Sequence, residues 1–418
     1  MQFGFKSKSS TLHAEFLINK TVKYYHHKKS PIYMCSLDAE KAFDSCNWDI
    51  LFKKLLEEKK ISLQIVKILS SLYKKGTATV LYNGQQSEEF KLSQGVRQGS
   101  ILSPYLYNTY FDLLLHSTES TSTVGTNLYG QFTGLIMYAD DIILLSPTIN
   151  GLRLLLDECV TYSEQHGIAM NADKTVLLMS GDGEKESYIL MNHWYVRPNH
   201  SLKHLGFIWN VGNRQNLATI EDEHVAQRLS KFWTVIYSLI KSGIRFCAPG
   251  TIVHMFRSLA VPTLTYGLEL CTLKRQLLEK LDKEARSALK SLFDVSKYSK
   301  NLLQPLFHVN SISHTLYQNK LNLFQRLLQN ECTREVCLKM MTNNLKYSTF
   351  TSDCYEVADK LDLRLESVVF NGRIEVPAED HAIDEEVEQQ LRFCVTYWHI
   401  QPLRYLFKNI LEEHIPER

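Results

Sequence analysis

The chain has 418 residues, 44% of them hydrophobic and 22% charged, with a mean hydropathy of −0.20; that mass suits about two or three domains with a buried core and excludes a disordered chain. It holds no apolar run near the ~18 residues that cross a bilayer and no charged-then-apolar leader, and its nine cysteines are scattered, odd in number and never spaced C-x-x-C. A membrane partner, a disulfide framework and a zinc knuckle are thereby excluded, and a reducing compartment is indicated. The formal net charge of +2 conceals a division, because residues 201–350 carry +10 and residues 351–418 carry −8.

In chain order, Ile32–Leu37 is a short apolar run of the kind that forms a buried strand. Periodicity predicts helices over Trp48–Glu58 and Ser62–Lys75, with Gly76 as a stop, and Asn83-Gly84 predicts a hairpin between Thr79–Tyr82 and Phe90–Leu92. Ser103-Pro104 offers an N-cap and first-turn proline for a helix to about His116. Leu135–Tyr138 and Ile142–Leu145 are two apolar runs separated only by Ala139-Asp140-Asp141, which is hairpin spacing. A helix over Leu152–His166 and extended chain over Ile168–Met179 follow. Beyond about residue 211 the pattern is helical: a capping box at Thr219 and Asp222, a stripe of Val225, Leu229, Phe232, Ile236 and Ile240, and helices over Thr251–Ala260, Lys274–Phe293 and Glu385–Phe407. Soft boundaries near 210 and 350 divide the chain into residues 1–210, a basic helical region 211–350 and an acidic, mostly helical tail 351–418.

Asp140-Asp141 at the tip of an apolar hairpin is the most informative feature. Aspartate in a tight turn is ordinarily solvated turn chemistry. Two adjacent acids repel, however, and a third, Asp38, also ends an apolar strand. Carboxylates gathered at strand ends stay ionised when a cation neutralises them, and hard oxygen ligands suit magnesium or manganese rather than zinc. Two such ions a few ångströms apart stabilise both oxygens of a phosphoryl displacement.

Tyr138-Ala139-Asp140-Asp141 resembles the catalytic hairpin of reverse transcriptases, in the form typical of non-LTR (LINE-type) retrotransposons. Five further blocks in family order resemble the same enzymes: Gln2-Phe3-Gly4-Phe5 with Ser10-Thr11, Leu37–Ser45, Gly95–Pro104, Gly167–Asn171 with Lys174-Thr175, and Lys203–Phe207. Together they span about 207 residues, too many to coincide by chance. Tyr266-Gly267-Leu268-Glu269 is also similar to a segment that follows the LINE palm.

The resemblance implies an α+β right-hand polymerase palm, with an antiparallel sheet and partial fingers, followed by an α-helical thumb. It implies RNA-directed DNA synthesis on an RNA template and DNA primer from deoxynucleoside triphosphates, in the nucleus or cytoplasm, with two Mg2+ ions or with Mn2+. Asp38 and Asp140 would ligate both metals, with Asp141 a weaker ligand and the Ala39 carbonyl facing a metal. Phe43 would clash with a 2′-hydroxyl and favour deoxynucleotides; outside that block it reads as core packing. Gln98 and Gly99 would flank the nucleotide and template base, and Arg97 would reach phosphate or remain a surface charge. Lys174 would donate a proton or charge near pyrophosphate, or stay a solvated lysine. Leu205-Gly206 would bring a backbone hairpin to the primer end, and Tyr138 would pack beside the acids and touch the primer. Lys280, Lys283, Arg286 and Lys290, in one predicted helix, would meet backbone phosphates, although interspersed acids also fit an ordinary solvated helix.

The sequence begins at the family's second block, with Lys6 and Lys8 as the remnant of a basic fingers segment, and shows no endonuclease domain before the palm. An N-terminally truncated member is therefore expected, with a catalytically inactive remnant that at most binds nucleic acid as the alternative.

Overall fold

The computed structural model describes residues 1–111, 123–180, 189–191, 194–196, 198–210, 217–342, 349–360, 385–396 and 401–412. They form two compact units, Met1–Asn216 with Asn330–Lys339, and Leu217–Gln329 with Met340–Arg418.

The first unit begins with α1 (Thr11–His27), β1 (Ile32–Leu37), α2 (Trp48–Glu57) and α3 (Leu63–Lys74). β1 falls on the predicted apolar run, and its side chains are nearly all buried because neighbours cover both faces. Asn47 caps α2 by accepting hydrogen bonds from the Asp49 and Ile50 amides. The expected hairpin is present in broken form: β2 (Thr77–Ala78), β3 (Leu81–Tyr82), β4 (Gln85–Gln86) and β5 (Phe90–Lys91) pair as β3 with β4 and β2 with β5. Asn83 and Gly84 make its turn, both at positive φ (48° and 75°). Next come α4 (Ser103–Phe111), whose predicted end near His116 lies outside the described residues, then β6 (Asn127–Leu128) and β7 (Gln131–Phe132).

Four strands make the central antiparallel sheet: β8 (Leu135–Tyr138), β9 (Asp141–Ser146), β1, and, after α5 (Ile149–Gln165), β10 (Val176–Ser180). Their order is β10-β1-β9-β8. The extended stretch predicted over Ile168–Met179 is a strand only from Val176, with an isolated bridge between Ala39 and Met170 before it. One face of the sheet, including Tyr33, Cys35, Leu37, Ile142 and Leu144, packs into a core with Leu51, Tyr107, Leu152 and Leu156. β11 (Ile189–Met191) pairs with β12 (Trp194–Val196), and β13 (Ser201–His204) with β14 (Phe207–Asn210).

The second unit is helical: α6 (Leu217–Lys241), α7 (Pro249–Met255), α8 (Val261–Thr265), α9 (Arg275–Leu292), α10 (Leu303–Leu306) and α11 (Ile312–Gln329). Beyond α12 (Glu331–Thr342) lie α13 (Thr349–Lys360), α14 (Glu385–Thr396) and α15 (Gln401–Glu412). Helix α6 starts at Leu217, so Thr219 lies inside its first turn rather than at a capping box. Between α7 and α8 a π-helical turn, Phe256–Ala260, accommodates Pro262, which has no amide to continue the regular ladder. Val225, Phe232 and Ile236 of the expected α6 stripe are buried, with Leu229 and Ile240 packed beside them, and Gly243 beyond takes φ 84° and turns the chain. Of the helix expected over Glu385–Phe407 the described residues are helical over Glu385–Thr396 and Gln401–Glu412, and Leu391, Phe407 and Leu411 from them join Phe232, Phe256 and Leu289 in one core. The described part of the acidic tail is thus built into the second unit, because its apolar stripe requires a partner surface.

The Tyr266–Glu269 segment forms a tight turn at Gly267 (φ 80°) in the second unit. Burial pushes the Glu269 carboxyl up to about 6, and burial beside Arg228 pushes His224 down to about 4. Glu269 lines a cavity of ≈ 420 Å³ with Thr272, Tyr317, Lys320 and Asp353, where Lys320 pairs with Asp353 at 3.0 Å.

Candidate active site

Register assembles the acids. Leu37 pairs with Ile142 across β1 and β9, so the next residues, Asp38 and Asp141, stand at neighbouring strand ends. Tyr138 pairs with Asp141, which leaves Ala139-Asp140 as a two-residue turn. Ala139 takes φ 58°, a left-handed conformation that glycine would adopt more cheaply. The carboxyl of Asp140 is raised above the usual carboxylate range, first by burial and then by the charge of Asp38, with Lys174 acting in the opposite direction. Asp141 is raised by burial and by Asp140 and Asp38, against a lowering by His204. Mutual repulsion in a half-buried site is the environment that a cation relieves.

Lys174 supplies one positive charge already: its Nζ lies 3.0 Å from Asp38 Oδ2. The Asn171 side chain helps to place it by accepting from the Lys174 amide at 3.2 Å. Among the described residues no group of three or more His, Cys, Asp and Glu side chains is close enough to hold a metal ion. The donor chemistry nevertheless fits a hard divalent cation, since all three candidates are carboxylates and one oxygen is already in contact with an ammonium group. The Ala169 carbonyl accepts from Glu40 and the Asp38 carbonyl from Asn171, so the Ala39 carbonyl is left out of that ladder.

Phe43 is half-buried and stacked on Tyr107, with ring centroids 4.6 Å apart, while Phe5 meets its edge at 6.2 Å. Gly95 (φ 92°) brings the second block under the first: a Cβ there would lie 2.9 Å from the Asp44 carbonyl. Trp48 Nε1 donates to the Gly95 carbonyl at 2.8 Å from the other side. Arg97 is exposed, with its guanidinium against Gly76 in an open groove of ≈ 670 Å³ that Ile68, Leu72 and Lys75 also line. Gln98 and Gly99 are exposed in the turn before α4, with Gly99 at φ 82°.

Leu205 and Gly206 form the β13–β14 turn, both at positive φ (45° and 86°). Directly before them, His204 Nδ1 is hydrogen-bonded to Glu15 Oε1 of α1 at 2.6 Å, and both side chains are almost wholly buried. Burial raises the Glu15 carboxyl, and His204 opposes that rise. No local pattern reveals a pair 189 residues apart in sequence.

On α9, Lys280 and Lys283 are exposed and Arg286 is half-exposed. Lys290 corrects the sequence expectation. It is buried, and its Nζ donates to the carbonyls of Lys297 (3.2 Å) and Ser299 (2.5 Å), so it holds the chain after α9 and is withdrawn from any phosphate.

Residues 1–209 match the family model described as reverse transcriptase (RNA-dependent DNA polymerase). The chain belongs to the reverse transcriptase family. The Pol polyprotein of the type-2 retrotransposable element R2DM of Drosophila melanogaster is 26% identical over 295 residues, 68% of this chain and 26% of that protein. The RNA-directed DNA polymerase from the mobile element jockey, also of Drosophila melanogaster, is 23% identical over 64% of this chain and 29% of its own length. The chain spans about a quarter of the R2DM protein, and an R2 protein of Nasonia vitripennis is matched over 18% of its length. Among solved structures, apo telomerase from Candida tropicalis is 15% identical over 82% of this chain and 56% of that one, with a TM-score of 0.37. The matched residues lie in the first unit, which holds the antiparallel sheet, and the second unit is helical. No described helix is long and apolar enough to cross a membrane.

Proposed function

We propose that this chain is the polymerase core of a retrotransposon, adding deoxynucleotides to a primer 3′-hydroxyl opposite an RNA template. The observation that carries the reading is the set of three acids, Asp38, Asp140 and Asp141, brought to neighbouring strand ends within the matched reverse transcriptase region. Asp38 and Asp140 would hold two Mg2+ ions, with Asp141 as a weaker ligand and the Ala39 carbonyl beside them. Such ions stabilise charge on the attacking and leaving oxygens of a phosphoryl transfer.

The chain's own residues select and place the substrates. Phe43, backed by Tyr107, excludes a 2′-hydroxyl. Gln98 and Gly99 lie along the nucleotide and template base, and Arg97 is available to phosphate. Lys174 exchanges Asp38 for the charge of the incoming triphosphate. Leu205 and Gly206 bring backbone to the primer end, near Tyr138, while Lys280, Lys283 and Arg286 follow the duplex phosphates.

Purified protein, a primed RNA template, magnesium and deoxynucleotides test this reading. Primer extension is expected, with loss of about three orders of magnitude or more in Asp140→Asn, the scale seen when a unit of catalytic groups is broken. Equal extension by Asp140→Asn, or none by the unaltered chain at high concentration, would refute it.

A further inference from the structure

The catalytic turn is held from outside the sheet. Met1–Phe3 runs parallel to β8: the Met137 amide donates to the Met1 carbonyl at 2.8 Å, and the Phe3 amide to the Met137 carbonyl at 2.9 Å. This places the Gln2 side chain, which is 3% exposed, against the turn that carries Asp140. Its Nε2 donates to the Ala139 carbonyl at 3.2 Å, and its Oε1 accepts from the Ala139 amide at 2.9 Å and from the Gly4 amide at 2.8 Å.

A primary amide can pair with both the N–H and the C=O of one residue because it carries a donor and an acceptor side by side. Ala139 needs such a partner. Its positive φ is sparsely populated for an L-residue and persists only where the surroundings enforce it. Two neighbours complete the enforcement. A Cβ on Gly4 would lie 2.2 Å from the Ala139 nitrogen, so only glycine lets the backbones come this close. Asn108 of α4 donates from Nδ2 to the Gly4 carbonyl at 2.8 Å, tying that segment to the core.

We infer that Gln2 is a positioning residue for the catalytic acids: its amide fixes the backbone of Ala139 and so sets the direction in which Asp140 presents its carboxylate. Gly4 and Asn108 hold Gln2 in register for that task. The inference rests on the reading of Asp140 as a metal ligand, and it adds a residue that touches neither metal nor nucleotide.

The test uses the full chain with Gln2→Met, which keeps length and loses all three side-chain hydrogen bonds, and Gln2→Glu, which keeps the acceptor and loses the donor. Cys159→Ala, a buried change on α5 away from the turn, controls for general loss of stability. Direct titration of Mn2+, followed by its spin resonance, reads the site without turnover. Gln2→Met is expected to weaken Mn2+ binding about tenfold and to lower kcat about a hundredfold, with KM for primed template changed less than about threefold, the signature of a misplaced group. Gln2→Glu should fall in the same direction, and Cys159→Ala should leave Mn2+ affinity unchanged. Unaltered Mn2+ affinity and kcat in Gln2→Met, or an equal loss of Mn2+ affinity in Cys159→Ala, overturns the inference. If Asp140→Asn extends primers as well as the unaltered chain, the polymerase reading falls, and the Mn2+ comparison still decides whether Gln2 shapes the turn.

Discussion

Asp140 and Asp141 illustrate how single residues carry conflict in this protein. Both are driven up from the usual carboxylate range by burial, and each is worsened by the neighbouring acids. A carboxylate whose folded pKa exceeds its unfolded value of about 4 stabilises the fold below that pH, and the contribution is lost as pH rises through the folded value. Metal-free protein should therefore melt at lower temperature as pH climbs through the raised values. Added Mg2+ or Mn2+ should restore the melting temperature at neutral pH, with less effect as the pH falls. Asp140→Asn should melt higher than the unaltered chain without metal and respond less to the ion. Scanning calorimetry across pH, with and without the ion, measures all three; a flat ion response in the unaltered chain would show that no cation site forms there.

Among elements, the palm's loops depend on close backbone approach rather than on strand pairing. Gly95 is the clearest case, because its φ of 92° disfavours any side chain and a Cβ would meet the Asp44 carbonyl at 2.9 Å. Gly95→Ala should cost about 2 kcal/mol or more in chemical denaturation, the sum of a strained backbone and a forced separation of two loops. A cost below about 0.5 kcal/mol, the range of an ordinary surface substitution, would mean that the two loops are not held together as described. Elements also show what chain order reveals. β1 and α9 fell within a residue or so of their expected bounds, because apolar runs and helical spacing are local signals. The Glu15–His204 pair and the Gln2–Ala139 clamp were hidden, since each joins segments more than a hundred residues apart.

Over the whole molecule, the net charge of +2 averages a +10 middle and a −8 tail. Phosphate contacts by the second unit should make nucleic-acid binding fall steeply with salt. Lys280→Ala and Lys283→Ala should each reduce the slope of log affinity against log salt by about 1, the effect of one lost phosphate contact. Lys290→Ala should leave that slope unchanged and lower stability by about 1–3 kcal/mol, because the carbonyls of Lys297 and Ser299 lose their donor. Filter binding across salt concentrations, beside thermal melting, separates the two outcomes. A loss of slope in Lys290→Ala would contradict its buried position.

The sequence by itself determined the family, the three acids, the apolar strands that carry them and the helical character of the second half, because motif order, short apolar runs and 3.6-residue spacing are properties of neighbouring residues. Only the tertiary structure decided which lysine on α9 faces inward, that the described tail helices complete the second unit's core, and that Gln2 is hydrogen-bonded to Ala139 in the turn before Asp141. Those outcomes depend on which distant backbone groups arrive next to a side chain, and packing, rather than spacing along the chain, sets that distance.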